Sequence, residues 1–304
     1  MSYPEFREEI FEAVKGMISE DITVELVQVD KLNSCIRYGI SFTKDGEIFS
    51  PTIYLEPFYK SFQNGQSIDF LVEELFRCYK EETGQLPDCI RKLDSYETAR
   101  PDIYVKLIHI AENRTLLKDT PHKVFLDFAI VPYFEVNEEQ IFKGSVLLKE
   151  HYPEAWQVSA EDMLSYAITH TRQEKGVLFQ SMSEVLKDLI SENDGELFES
   201  AKEEMFVLTN KEKYLGAVLI YFPDVLYDIS TRLKEDFYML PASVHEWVIV
   251  PVSRVEDERL LFSMVKDIND REVLEEEILS YYVYYYSINS QKIHICESSK
   301  MKNC

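Results

Sequence analysis

Glycine is scarce. The chain of 304 residues carries nine, and the closest two, Gly39 and Gly46, stand seven positions apart. The dinucleotide fingerprint Gly-x-Gly-x-x-Gly and the phosphate loop Gly-x-x-x-x-Gly-Lys need closer glycines, because the main chain must wrap a phosphate with no Cβ in the way. Neither motif is present. Gly-x-Ser-x-Gly fails on the same count, which removes the usual nucleophile elbow.

Basic residues are also few. Lysine and arginine number 32 against 55 aspartates and glutamates, a formal charge of −23. Nucleic-acid affinity comes mostly from cations neutralising phosphate, so the balance argues against direct nucleic-acid binding. It argues against anionic membrane surfaces for the same reason. High net charge serves solubility. Its sharper reading is a surface that docks a basic protein partner or imitates nucleic acid.

The five cysteines, Cys35, Cys78, Cys89, Cys296 and Cys304, are odd in number and include no Cys-x-x-Cys pair. A disulfide framework, a zinc ribbon and a dithiol redox motif are therefore not expected, and reduced thiols in a cytoplasmic protein are. Glu5, Glu8 and Glu9 stand where a secretory signal would need positive charge and an apolar run, so no signal is expected. No run approaches the roughly 18 apolar residues of a membrane span. The most apolar stretch, Val124 to Phe134, is interrupted by Asp127.

What remains is a chain able to build a core, with 45% apolar and 13% aromatic residues. Its length suits roughly two domains or one large one. Ser2 and Glu5 form a capping box, after which Tyr3, Phe6, Ile10, Val14 and Met17 share a helical face. A second helix is predicted from Ser67 to Glu82, closed by Gly84. Capping boxes at Ser159–Asp162 and Ser181–Glu184 start two more. Pro223 opens another, and a last one carries Leu260, Leu261, Met264, Val265 and Ile268.

Strands lie between. Ile36, Tyr38, Ile40 and Phe42 alternate with polar or small residues, and Asp45-Gly46 reads as a hairpin turn into a strand through Ile53 and Leu55. Val124 to Val136 reads as one central strand covered on both faces. In the second half, strands are predicted at Met205–Leu208, Leu215–Tyr221, Phe237–Leu240 and Trp247–Val252, giving two hairpins flanking the Pro223 helix. The fold class is α+β, with antiparallel sheets packed against amphipathic helices. Two sub-domains are expected, 1–140 and 141–296, with a flexible tail at 297–304.

Few residues suggest chemistry. Ser243, His245 and Glu246 cluster between two predicted strands, where functional groups often collect. A zincin helix needs His-Glu-x-x-His, but the residue four after His245 is Ile249. His109 and Glu112 would share a helix face as metal ligands, yet a site needs three or four. His122, His151 and His170 supply no third member, so no metal and no cofactor is expected. Asp127 inside an apolar run is costly unless paired, which makes it a candidate for a satisfied anchor or for an acid in a cleft. The run Tyr281, Tyr282, Tyr284, Tyr285, Tyr286 reads as a strand sealing the core or as a stacking surface.

Several segments carry a family resemblance. They are Phe206-Val-Leu-Thr-Asn, Gly216-Ala, Asp236-Phe-Tyr-Met-Leu-Pro-Ala-Ser-Val-His-Glu and Val248-Ile-Val-Pro. Similar pieces are Asn113 with Leu116-Leu117, Pro121-His122, Leu126-Asp127, and Glu277-Ile-Leu-Ser280 before Val283-Tyr284. Together they resemble an uncharacterised family of clostridial gut anaerobes, the domain of unknown function 5688. Ala242 stands where that pattern usually has serine. The resemblance implies a cytoplasmic bacterial protein with no established activity. It marks Asp127, Asn210, Ser243, His245 and Glu246 as shared positions without giving them roles.

Three readings of function follow. The first is a non-enzymatic binding or regulatory protein acting through its acidic surface. The second is a hydrolase built on Ser243, His245 and Glu246, joined by an acid such as Asp127. The third is an acidic mimic of nucleic acid.

Overall fold

The computed structural model describes residues 1–18, 21–44, 52–82, 88–138, 142–187 and 205–296. The fold is α+β, with every strand pairing antiparallel. The chain divides into two compact units, Met1–Lys92 and Leu93–Cys304. A boundary near residue 140 was the reading from sequence. That position instead falls between two strands of the second unit that pair with each other.

The first unit opens with α1 (Tyr3–Lys15), where the Glu5 carboxylate accepts the Ser2 N–H at 2.8 Å. Phe6, Ile10 and Val14 fall on one face and are fully buried. Each contributes roughly 1.5–3 kcal/mol by leaving water. Met17 lies past the last turn and is exposed. A sheet follows, β1 (Ile22–Asp30), β2 (Ile36–Lys44) and β3 (Thr52–Tyr54), with β2 central. Then come α2 (Glu56–Gln63), α3 (Ile68–Glu82) and α4 (Asp88–Arg91). Leu71 and Leu75 of α3 join Phe6, Ile40, Phe42 and Leu55 in one core. Asp45-Gly46 and Gly84 lie outside the described residues.

The second unit holds two sheets. The smaller contains β4 (Ile103–His109), β5 (Lys123–Phe125), β6 (Phe128–Glu138) and β7 (Phe142–Leu147), with β6 pairing all three others. The larger runs β13 (Lys292–Cys296), β12 (Val283–Ser287), β10 (Phe237–Ser243), β11 (Glu246–Pro251), β9 (Phe206–Thr209), β8 (Leu178–Ser181). Among the described residues its helices are α5 (Tyr96–Ala99), α6 (His151–Trp156), α7 (Ala160–Glu174), α8 (Met182–Lys187), α9 (Pro223–Leu233) and α10 (Glu258–Arg271). Leu261 and Val265 of α10 pack on Tyr238, Leu240, Val248, Val250 and Val283 of the large sheet. Leu260, predicted on that face, points to solvent instead, 61% exposed. Phe128 of β6 meets Trp247 of β11 and Tyr284 of β12 at ring-centroid distances of 6.0 and 5.3 Å, so aromatic edges join the two sheets.

Three expected elements differ. The apolar run 124–136 is a hairpin, because Leu126 adopts a left-handed backbone (φ 56°) and turns β5 into β6. Residues Gly216–Tyr221, predicted as a strand, form a 3-10 helix, because Leu215 (φ 54°) breaks the extended path just before it. β9 therefore pairs β8 and β11, and the first of the two predicted hairpins does not form. His109 ends a strand rather than sharing a helix face with Glu112. The tail 297–304 lies outside the described residues.

Candidate functional site

Asn210 follows β9 and folds the next five residues around its own carboxamide. Its Oδ1 accepts the N–H groups of Glu212 and Tyr214, both at 3.1 Å, and its Nδ2 donates to the Tyr214 carbonyl at 2.6 Å. Asparagine suits this task because its short side chain mimics a turn of backbone. The turn delivers Leu215 with its N–H aimed at His245 Nδ1, 2.9 Å away. An amide nitrogen only donates, so Nδ1 is the acceptor and the proton of the neutral ring sits on Nε2. Nε2 lies 3.3 Å from Glu277 Oε1.

The rest of this cluster is backbone packed closely on backbone. Thr209 Oγ1 donates to the His245 carbonyl at 2.8 Å. A Cβ on Gly216 would stand 2.5 Å from Asn210 N and from Thr209 Oγ1, and 2.8 Å from His245 O. Only glycine fits there. Ser243 Oγ accepts the His245 N–H at 3.0 Å, and the Tyr214 ring stacks on the imidazole with centroids 5.3 Å apart. Glu246 opens β11 beside them. Burial pushes its carboxyl above the usual range, while His245 and Lys213 draw it down.

Asn210, Ser243, His245 and Glu246 thus gather at one end of the large sheet. Their chemistry is directed inward. Both ring nitrogens of His245 have partners, and the serine oxygen meets its backbone N–H rather than its ring. The histidine anchors Leu215.

Asp127 belongs to a second cluster, at the β5–β6 turn. Its Oδ2 accepts the Tyr284 hydroxyl at 2.7 Å and lies 3.4 Å from His109 Nε2. Tyr284 also meets Ser280 Oγ at 2.9 Å. Burial first, then the Asp127 charge, push the Tyr284 hydroxyl far above its ordinary range. The other carboxylate oxygen, Asp127 Oδ1, and the other ring nitrogen, His109 Nδ1, are buried with no hydrogen-bond partner. The segment 277–284 visits both clusters, with Glu277 at His245 and Tyr284 at Asp127.

A third group adjoins the Asn210 turn. Lys175 Nζ reaches both oxygens of Glu135, at 2.9 and 2.8 Å, and both of Glu212, at 2.9 and 3.0 Å. It also lies 3.9 Å from the centre of the Tyr104 ring. The Lys175 side chain is 2% exposed.

The sequence does not signal the pairing of His109 and Tyr284 with Asp127, of Glu277 with His245, or the Lys175 group. His109 was weighed only with Glu112, its neighbour in sequence. Tyr284 was one hydroxyl in a run of five. Glu135 and Lys175 are 40 residues apart, and no local pattern links them.

Among the described residues, no three histidine, cysteine, aspartate or glutamate side chains gather to hold a metal ion. No helix among them is long and apolar enough to cross a membrane. No curated protein and no solved structure matches the chain. One family model does match, over residues 3–288, and it places the chain in a family of unknown function, DUF5688.

Proposed function

We propose that this is a non-enzymatic binding protein of the bacterial cytoplasm that docks a basic protein partner on an acidic surface. The observation that carries the reading is the direction of its charges. Acids exceed bases by 55 to 32 in sequence. Lys106 and Lys175 are in addition buried, 5% and 3% exposed, so they lend little positive field to the surface. Clefts and faces of one sign raise the local concentration of an opposite partner and speed its encounter. Cys296 is a free thiol, which suits a reducing compartment.

The hydrolytic reading needs a histidine with a free ring nitrogen near a nucleophile. His245 gives one nitrogen to the Leu215 N–H and faces Glu277 with the other, which favours the binding reading over it.

The test is affinity capture from a native host lysate at low salt, with general ester substrates assayed in parallel. The expected result is a stoichiometric basic polypeptide, released as salt rises. An acidic partner, a salt-insensitive one, or ester turnover lost in Ser243→Ala would overturn the reading.

A further inference from the structure

We propose that a cleft in the first unit binds a small amphiphilic anion, a fatty-acid carboxylate of medium chain length taken up as a free monomer. The site is separate from the docking of a basic partner, since every residue that lines it belongs to α1, β1, α3 or the segment just after α1.

The cleft has a volume of about 680 Å³ and opens to solvent. Pockets of roughly 300–1,000 Å³ take small molecules. It lies where the chain leaves α1 and turns into β1, with α3 alongside. Ile18, Ile22 and Phe76 pack against the core of this unit yet stay only partly buried, so they give the cleft an apolar floor. Phe42 braces that floor from behind. Its ring stacks on Tyr79 with centroids 4.3 Å apart and meets Phe76 edge-on at 6.3 Å. Met17 continues the apolar stripe of Phe6, Ile10 and Val14, but it is 62% exposed and lines the cleft instead of the core. The flexible thioether of methionine adapts to apolar ligands of irregular shape.

Charge along the cleft selects the ligand. Glu73, Arg77 and Lys80 line it from one face of α3, spaced three or four residues apart. Glu73 and Lys80 are about 10 Å apart along the helix axis, so the acid marks one end and the two cations the other. Arg77 gives Nη2 to the Glu74 carboxylate, and its side chain is 62% exposed. A pair of that kind is worth little in water and leaves the other guanidinium donors to a ligand. A cationic ligand would face two cations for one acid. A neutral apolar ligand would use the floor and leave the cations idle, and a bare phosphate would do the reverse. An apolar chain ending in a carboxylate uses both, with the carboxylate on the guanidinium fork. The charge of −23 opposes any anion at long range. At physiological salt that field is screened beyond about 8 Å, so the cations at the cleft decide.

The experiment uses the full chain, with 13C-labelled methionine and isoleucine methyl groups, at physiological salt. It is titrated with decanoate below its micelle concentration, with decanol as the neutral control and decylammonium as the cationic one. Saturable methyl shifts are expected at Met17, Ile18 and Ile22 with decanoate. Decanol should bind about fivefold more weakly, which is what one exposed ion pair contributes at most, and decylammonium more weakly still. Arg77→Gln combined with Lys80→Gln should bring decanoate down to the affinity of decanol. Both residues are exposed, and unchanged decanol binding in that variant shows that the cleft is still folded. Equal affinity of the wild type for decanoate and decanol, a preference for decanoate that survives in the double variant, or shifts that never saturate or that centre on other methyl groups would overturn the proposal. Neither outcome bears on the basic-partner reading, because the purified chain meets no other protein in this assay.

Discussion

Loss of the Lys175 ammonium should cost the second unit heavily for the few atoms removed. Its ammonium faces two carboxylates and one tyrosine ring, and its side chain is almost wholly enclosed. Lys175→Met keeps the stem and removes the charge. Glu135, whose side chain is 8% exposed, is then left as a buried carboxylate without its cation. Breaking a buried pair from one side costs about 3–5 kcal/mol, because the stranded charge loses its partner without regaining water. Glu212 is 36% exposed and recovers solvent, so it adds little. With a urea slope of roughly 3 kcal/mol/M for a unit of this size, the midpoint should fall by roughly 1–1.7 M. Both tryptophans, Trp156 and Trp247, lie in this unit, so tryptophan fluorescence reports its unfolding alone. Adding Glu135→Gln to Lys175→Met removes the stranded charge and should restore at least about half of the loss. An unchanged midpoint in the single variant, or a double variant whose loss is the sum of the two singles, would refute the reasoning.

Other outcomes follow from the same geometry. Gly216→Ala pushes a methyl to 2.5 Å from the Asn210 nitrogen and the Thr209 hydroxyl, and should cost about 1–3 kcal/mol or more in the same urea assay. Full stability in that variant would mean the Asn210 turn is looser than it stands. Cys296 is pushed up to about 11 by burial and by the Glu258 charge. Its alkylation by iodoacetamide, followed by peptide mass spectrometry, should therefore keep accelerating to about pH 11, and a plateau near the ordinary thiol value of 9.0 would contradict this. Tyr285 is pushed up to about 12, first by its bond to the Asp236 carboxylate and then by burial. Raised phenol values mean that the neutral form is the one the fold favours. Stability from this source is complete below the ordinary value of 10.0 and is lost as pH climbs through about 12. Tyr3, Tyr104, Tyr238 and Tyr284 are shifted upward too. The last part of the tyrosinate absorbance rise should accordingly coincide with loss of the far-ultraviolet dichroism as pH climbs toward about 12, and full ionisation of all 19 tyrosines with the dichroism intact would count against the assignment.

The parts of the fold that local physics writes into sequence were legible. Ser2 with Glu5, Ser159 with Asp162, and Ser181 with Glu184 each mark a helix start that the structure contains. Alternation at Ile36–Phe42 marks β2, and Pro223 opens α9. Of the candidate site, Ser243, His245 and Glu246 were legible because they fall within four residues of one turn region, and Asn210 because it lies in a segment that carries the family resemblance. Their partners were hidden by distance along the chain. Glu277 lies 32 residues from His245, and Tyr284 lies 157 from Asp127.

Two of the misread elements, 124–136 and 215–221, share one cause, and it leads back to the shortage of glycine. Among the described residues, eight non-glycine positions adopt positive φ against two glycines. Turns are read from glycine, asparagine and proline, since those residues reverse the chain at little cost. Leu126 and Leu215 reverse it without that signal, so 124–136 looked like one strand and 215–221 like another. A left-handed L-residue costs roughly 1–2 kcal/mol, so each such turn must be held by its surroundings. The holding is visible at Leu215, where the Asn210 carboxamide builds the approach and His245 takes the amide. It is less complete at Leu126. Tyr284 grips the next residue through one carboxylate oxygen, while the other oxygen, Asp127 Oδ1, and the far ring nitrogen of His109, Nδ1, are buried without a hydrogen-bond partner. The two reversals are thus built alike and finished differently. The first closes on its own side chains, and the second leaves acceptors beside an exposed tyrosine.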